Sequence, residues 1–313
     1  MEIVKIGTRG SPLALWQAEH VSEALKTLSN GSLDTEILTF KTSGDQLTTE
    51  RLINSGGKGL FTKEIDLAVD DGRADIAVHS LKDVPSLMPE GQALVAFSER
   101  EDPREGFLCT KANSPKDLPE GAVVGTASLR REAQTLALRP DLKIIPFRGT
   151  VQTRMKKLED GLADATYLAM AGLTRMNMAH AAHPIEIDDM LPAPCQGIVA
   201  IAARPDRLTP LLAEMLDRFN NAESAACATI ERAYLAALDG SCRTPIAGHA
   251  RLEASGDIRF DGAVFSPDGT QVWRTEARIA ASASVDDLAD LGRVAAEDIR
   301  TQAGGDLPQF VDC

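Results

Sequence analysis

No stretch of this chain is apolar for long enough to cross a membrane. The longest fully apolar run is the short Ile198–Ala203, far below the roughly 20 residues a span requires. A basic-then-apolar leader is also missing, since Met-Glu-Ile-Val-Lys-Ile-Gly opens the chain and reads as a first β-strand, so a cytoplasmic protein is expected. Cysteine is sparse and badly arranged for cross-linking. Cys109, Cys195, Cys227, Cys242 and Cys313 are odd in number and far apart, with no CxxC pair and no Cys/His cluster at zinc spacing. Reduced thiols and no metal are therefore expected. Positive charge is short as well: 33 Lys+Arg against 46 Asp+Glu leave −13, which argues against general binding to a nucleic-acid backbone. No GxxxxGK[ST] phosphate loop occurs.

What remains is an ordinary globular composition, 43% hydrophobic and 25% charged over 313 residues, enough for two or three domains. The first two-thirds alternate short β-rich runs with amphipathic helical stretches. Strand Ile3–Gly7 leads to Ser11-Pro12, a cap and first-turn proline, and then a helix. Further strands are read at Asp34–Phe40, Asp75–Ser80, Val123–Gly125, Lys143–Phe147, Asp164–Ala169 and Ile198–Ala203. Helices are read at Gly59–Asp70, Ser128–Arg139, Thr150–Asp160 and near Ala171–Met178. This rhythm implies parallel-type α/β sheets.

Two echoes suggest a pair of similar lobes: Gly7-Thr8-Arg9-Gly10-Ser11 with Gly125-Thr126-Ala127-Ser128, and Asp71-Gly72-Arg73-Ala74-Asp75 with Asp160-Gly161-Leu162-Ala163-Asp164. The Pro-rich segment Leu191–Gly197 reads as a crossing between lobes, with Ile198–Ala203 returning to the first. The last third differs: helix Ala222–Leu238, three antiparallel strands between Ile246 and Ile279, and a closing helix Ser284–Ala303. The expected division is a first α/β lobe of residues 1–98 plus 198–218, a second of 99–197, and a small α+β domain of 219–313.

Within this acidic chain, residues 126–175 carry nine Lys+Arg against five Asp+Glu. Arg9, Arg130-Arg131, Arg148 and Arg175 each follow a predicted strand, in the loop or first turn of the next helix. Ligands of open α/β sheets sit outside the carboxyl ends of the strands, where helix N-termini also favour anions. Any one of these arginines reads equally well as a solvated helix residue. Together they describe a cleft for a polyanion, because the guanidinium fork pairs carboxylates or phosphates bidentately.

Asp83, in His79-Ser80-Leu81-Lys82-Asp83-Val84-Pro85, follows a buried strand. Beside arginines its carboxylate stays ionised and can stabilise a cation or accept a proton; without them it is a turn residue. Cys242, in Asp239-Gly240-Ser241-Cys242-Arg243, lies on a loop beside arginine, where a thiolate can act as nucleophile or covalent anchor. Core packing suits Cys109 and Cys227. The five histidines show no ligand spacing and read as satisfied or surface groups. The polar, Gly-containing stretch Lys41–Lys58 reads as a hinged lid.

These motifs, together with Gly56-Gly57-Lys58-Gly59-Leu60-Phe61 and Arg148-Gly149-Thr150, resemble in order from Ile6 to Gly248 the porphobilinogen deaminases, or hydroxymethylbilane synthases. The resemblance implies two periplasmic-binding-protein-like α/β lobes with a central cleft and a small C-terminal α+β domain. It implies a dipyrromethane cofactor held by a thioether at Cys242. Four porphobilinogens are then condensed head to tail with loss of ammonia, and water frees the linear tetrapyrrole. A cytoplasmic monomer is implied, with porphobilinogen as partner and neither nucleic acid, membrane nor metal.

By the same resemblance Asp83 is catalytic: it hydrogen-bonds pyrrole N–H groups and stabilises the cation left when ammonia departs. Ser80, Lys82, Thr126, Ser128, Arg130 and Arg131 hold the cofactor. Arg9, Ser11, Gln17, Arg148, Arg154, Arg175 and Gln196 take substrate or the growing chain, whose many acetate and propionate groups need a basic cleft. Lys58 and Phe61 belong to the lid. The chain departs from the family pattern at Asn54-Ser55, where a second lysine is frequent, at Cys195, where glycine is commoner, and at Ser241 before the anchor. A reading from another class, a two-lobed binding protein for a small polycarboxylate, leaves the Cys242 loop unexplained.

Overall fold

The computed structural model describes residues 1–46, 59–238, 244–305 and 307. In chain order it begins β1 (Glu2–Arg9), α1 (Pro12–Leu28), β2 (Leu33–Phe40), α2 (Ser43–Gln46), α3 (Lys63–Asp70), β3 (Ile76–Ser80) and β4 (Ala93–Phe97). It continues β5 (Glu105–Cys109), β6 (Val123–Gly125), α4 (Leu129–Leu138), β7 (Lys143–Ile145), α5 (Val151–Glu159), β8 (Ala165–Ala169), α6 (Met170–Arg175) and β9 (His183–Ile185). It closes with β10 (Val199–Ala203), α7 (Pro210–Phe219), α8 (Ala222–Ala237), β11 (Ile246–Leu252), β12 (Asp257–Phe265), β13 (Val272–Ala280) and α9 (Val285–Gln302).

Two compact units result. The first lies within Met1–Leu47, Gly57–Glu101 and Gly197–Ala225; the second lies within Asp102–Gln196 and Ala226–Cys313. The first unit holds a five-stranded sheet in the order β2-β1-β3-β10-β4, the second a five-stranded sheet β7-β6-β8-β5-β9 and a three-stranded sheet β11-β12-β13. Substituting β6 for β1, β7 for β2, β8 for β3, β5 for β10 and β9 for β4 turns one five-stranded order into the other.

The short sequence echoes fall at equivalent points of this shared topology. Ser11 caps α1 by accepting from Ala14 N, and Ser128 caps α4 by accepting from Arg131 N, each at the first strand–helix turn. Just before β3 and β8, an aspartate fastens the neighbouring parallel strand. Asp75 N donates to Lys5 O (2.9 Å) and its carboxylate accepts from Lys5 N (2.7 Å); Asp164 N donates to Val123 O (2.8 Å) and its carboxylate accepts from Val123 N (2.9 Å).

The expectation of parallel-type sheets needs correcting: both five-stranded sheets are mixed. β1 pairs parallel with β2 and β3, and β6 with β7 and β8, but β10 runs antiparallel to β3 and β4, and β5 antiparallel to β8 and β9. Strand–helix rhythm reports only the strands joined by a crossover. β10 comes from far along the chain and β5 enters ahead of its lobe's first helix, so neither leaves that signature. The second helix also starts later than read, at Lys63 instead of Gly59, after a turn in which Thr62 N and Lys63 N donate to Gly59 O.

The first core joins Val4, Ile6, Ile76, Val78 and Ile201 of the sheet to Ala18, Val21 and Leu25 of α1 and Leu212, Met215 and Leu216 of α7. Each fully buried aliphatic side chain contributes about 1.5–3 kcal/mol. In the second unit, α8 and α9 cover the three-stranded sheet through Cys227, Ile230, Tyr234, Phe260, Ala296 and Ile299. That sheet also braces α4, since Ala247, Ala263 and Phe265 pack with Ala133 and Leu191. The turn after β12 reaches α4 so closely that a Cβ on Gly269 (φ +72°) would lie 2.4 Å from Ala137 N. Cys195 likewise adopts φ +67°, a left-handed backbone that explains the family's preference for glycine there.

The Tyr234 ring packs edge-on against Phe260, yet its buried hydroxyl has no hydrogen-bond partner among the described residues. An unsatisfied buried hydroxyl is destabilising. Tyr234→Phe is therefore expected to raise unfolding free energy by about 1 kcal/mol, seen as a higher urea midpoint at unchanged slope.

Candidate functional site

In the first unit, β1 ends at Arg9 and its parallel neighbour β3 at Ser80, so both deliver polar residues to one edge of the sheet. There, Arg9, Ser11, Gln17, Phe61, His79, Ser80 and Asp83 line a single pocket. Gln17 Nε2 donates to Ser80 Oγ at 2.8 Å. The Arg9 guanidinium stacks 4.5 Å from the Phe61 ring centroid, a cation–π contact that fixes the group while leaving its edge donors to other partners. Lys82 and Asp83 sit on the single 3-10 turn Leu81–Asp83, held by Leu81 N donating to Ile198 O (3.0 Å) and Val84 N to Leu81 O (3.1 Å). Lys82 is half-buried and Asp83 is exposed.

His79 corrects the expectation of a satisfied or surface histidine. Its side chain is buried, and Nε2 lies 3.7 Å from Asp66 Oδ1 without a hydrogen bond. Burial first, and the Arg9 charge second, push the imidazole down to about 4, so it is neutral near pH 7. Burial also raises the Asp66 carboxyl.

In the second unit, adjacent residues at the start of α4 turn to one carboxylate. Arg130 Nη2 lies 2.5 Å from Glu105 Oε1 and Arg131 Nη2 2.6 Å from Glu105 Oε2. Their Nη1 groups donate to Leu191 O and Tyr167 O, each at 2.9 Å. Gln196 Nε2 donates to Pro103 O (2.8 Å) and Glu105 Oε1 (3.2 Å). Thr126 Oγ1 accepts from Ser128 N at 3.1 Å, shaping the turn into α4. Arg148 follows β7, where the Phe147 ring fills the space a Cβ on Gly125 would need and Lys157 Nζ donates to Arg148 O (2.9 Å). Arg154, in the first turn of α5, donates from Nε to Gly149 O (3.0 Å). Burial, then the charges of Arg131 and Arg148, depress Arg154 to about 10, with Glu105 opposing. Three guanidinium groups thus crowd one buried carboxylate.

The predicted residues therefore gather as two sets, one in each unit. Arg175 departs from its expected place: α6 is so short that Arg175 is its last residue and not in its first turn. Cys109 ends β5 half-buried and packs against the core of that sheet, as expected. Cys242 and Lys58 lie outside the described residues. Sequence reasoning missed Glu105 and His79. A glutamate heading the apolar strand Glu105–Cys109, and a histidine inside Ile76–Ser80, were the available signals, since strands this apolar bury whatever polar residue they contain.

These features define a class: an α/β protein of two units, each presenting guanidinium groups at the carboxyl ends of its central strands. Residues 4–209 match the family model described as porphobilinogen deaminase, dipyromethane cofactor binding domain, and residues 225–301 match the porphobilinogen deaminase C-terminal domain. The chain is 48% identical to porphobilinogen deaminase of Paracoccus denitrificans, covering 97% of this chain and 96% of that protein. It is 44% identical to the chloroplastic porphobilinogen deaminase of Oryza sativa subsp. japonica, covering 100% and 86%. Among solved structures, a TRAP periplasmic solute binding protein from Desulfovibrio salexigens is similar at TM-score 0.44 and 11% identity, over 70% of this chain and 72% of its own. The chain belongs to the porphobilinogen deaminase family.

The buried neutral His79 makes stability depend on pH. Between about 6.5 and about 4 the unfolded chain holds a proton on this residue that the folded chain refuses, so stability falls as pH falls through that window, by up to roughly 3 kcal/mol. Asp66, with its raised carboxyl, acts in the opposite direction at the acid end. Urea unfolding at pH 7 and pH 5 is expected to show a loss that His79→Gln flattens; an equal loss in the variant would contradict the assignment.

Proposed function

We propose that this chain is a transferase that condenses four porphobilinogen molecules head to tail, releasing ammonia each time, into the linear tetrapyrrole hydroxymethylbilane on a covalently attached dipyrromethane primer. The observation that carries the reading is the 48% identity with a porphobilinogen deaminase over 97% of this chain.

The donor set fits the primer. Its pyrroles bear acetate and propionate groups, and in the second unit Arg154 feels the charges of Arg131 and Arg148 against the single opposing Glu105, a surplus of positive charge in a poorly solvated place that carboxylates neutralise. Bound through Cys242, the primer supplies the terminal pyrrole carbon to which the first substrate is joined. Arg130, Arg131, Ser128 and Thr126 of the second unit, and Ser80 and Lys82 of the first, hold its carboxylates and orient it.

Arg9, Ser11 and Gln17 in the first unit, and Arg148, Arg154 and Arg175 in the second, take the carboxylates of substrate and growing chain. Gln196, its amide turned to Glu105, supports the arginines. Asp83 accepts hydrogen bonds from pyrrole N–H groups and sets a negative charge beside the cation left on the substrate as ammonia departs, which lowers the barrier to its formation. Phe61 walls the pocket over Arg9, and Lys58 adds a lid charge. The Cys242 loop belongs to an α+β domain of residues 219–313, and the two lobes are residues 1–98 plus 198–218 and residues 99–197. No helix among the described residues is long and apolar enough to cross a membrane. We further propose a cytoplasmic monomer that takes porphobilinogen and neither nucleic acid nor a lipid surface.

Intact-protein mass tests this directly. The native chain is expected to exceed its sequence mass by one dipyrromethane, and Cys242→Ser to show the bare mass; a native chain at bare mass would leave a polycarboxylate-binding protein in its place. Asp83→Asn keeps the shape of the pocket and loses the charge. It should retain the extra mass while turnover falls about a hundredfold or more, as removal of one electrostatic stabiliser does; near-normal turnover would remove Asp83 from the mechanism.

A further inference from the structure

We propose that Glu105 is the internal counter-ion of the arginine seat, a positioning residue that holds Arg130 and Arg131 side by side at the spacing in which they meet the primer's carboxylates. The inference rests on the function proposed above and goes beyond it.

Neighbouring residues on a helix point about 100° apart and do not ordinarily face one another. Arg130 and Arg131 are such neighbours, yet both guanidinium groups converge because one carboxylate takes one of them on each oxygen. Glu105 is completely buried. It heads β5, which is paired on both sides, with Glu105 opposite Ala169 of β8 and Ile185 of β9, so the carboxylate stands on rigid backbone. Each arginine is fixed a second time by a backbone carbonyl, Leu191 O or Tyr167 O. The guanidinium planes are thus set before any ligand arrives, and rotamer freedom that binding would otherwise remove is already gone. One carboxylate does not balance the two cations it touches together with nearby Arg154. The remaining positive charge is what an incoming carboxylate neutralises.

The two closest substitutions at Glu105 separate charge from shape. Glu105→Gln is isosteric but neutral and brings an amide donor against the guanidinium groups. Glu105→Asp keeps the charge on a carboxylate one carbon too short to serve both arginines. Apo-protein of each, made in cells starved of porphobilinogen, is given porphobilinogen, and the gain of the primer's mass is followed with time. The expected order of uptake is parent, then Asp, then Gln, with the Asp variant slower than the parent by about tenfold and the Gln variant slower still, as removing one partner of a buried charge pair does.

If Gln takes up the primer as fast as Asp or faster, Glu105 merely fills space and the proposal is overturned. If Glu105→Gln does not fold, Glu105→Asp decides alone: uptake at the parental rate overturns the proposal, and slowed uptake supports it. Should the parent never gain the mass, the proposed function has failed, a different result from a parent that gains it and variants that match.

Discussion

A single carboxylate buried between two adjacent arginines sets the terms on which the second unit is built. Removing any of these three charges from water costs several kcal/mol unless it is paired and hydrogen-bonded, and Glu105, Arg130 and Arg131 meet that demand only in one arrangement. It requires β5, the start of α4, Tyr167 of β8 and the Leu191–Gln196 segment to be in register at once. The small C-terminal sheet braces the same helix, through Phe265, Ala263 and the turn at Gly269. Another buried carboxylate, Glu231, ties the same segment to that sheet by accepting from Cys195 N and Ala250 N. A chain with a net charge of −13 thereby keeps a concentrated positive site without leaving its cations loose on the surface.

The shared strand order makes the difference between the units informative. In both, the third strand of the sheet ends beside the first. In the first unit it runs into the polar turn Leu81–Asp83, which carries Lys82 and Asp83. In the second it runs into α6, which opens Met170-Ala171 with both side chains buried. One topology therefore offers two arginine-bearing edges, and only one bears an acid at that turn. Guanidinium groups can be repeated wherever a carboxylate needs holding, whereas a reaction with one developing cation wants one carboxylate placed against it.

Much of this was legible along the chain. Strand–helix alternation, serine caps and the Pro-rich crossing located most elements to within a residue or two, because each depends on nearest neighbours in sequence. β4 and β9 are too short to show a period, α7 went unread despite its Thr209 cap, Pro210 and one apolar face of Leu212, Met215 and Leu216, and the antiparallel insertion of β5 and β10 depends on partners 56 to 127 residues away. The arginine pattern was visible because strand ends in α/β sheets share one edge. Which groups those arginines face was not, for Glu105 lies 25 and 26 residues from them along the chain. His79 was misjudged for the same reason: the charge acting on it comes from Arg9 and its nearest carboxylate from Asp66 of α3, both distant in the chain from it.

The amino-acid order alone settled the α/β class and the family, and it pointed to Asp83 and to the arginines that follow strands. All of these are carried by local periodicity or by short runs of contiguous residues. Folding decided the exchange of β5 and β10 into the middle of each sheet, the convergence of Arg130 and Arg131 on Glu105, and the neutral state of His79. Those outcomes belong to through-space electrostatics and burial, and the energy of a charge inside a protein depends on what surrounds it in space, wherever in the chain its neighbours are encoded.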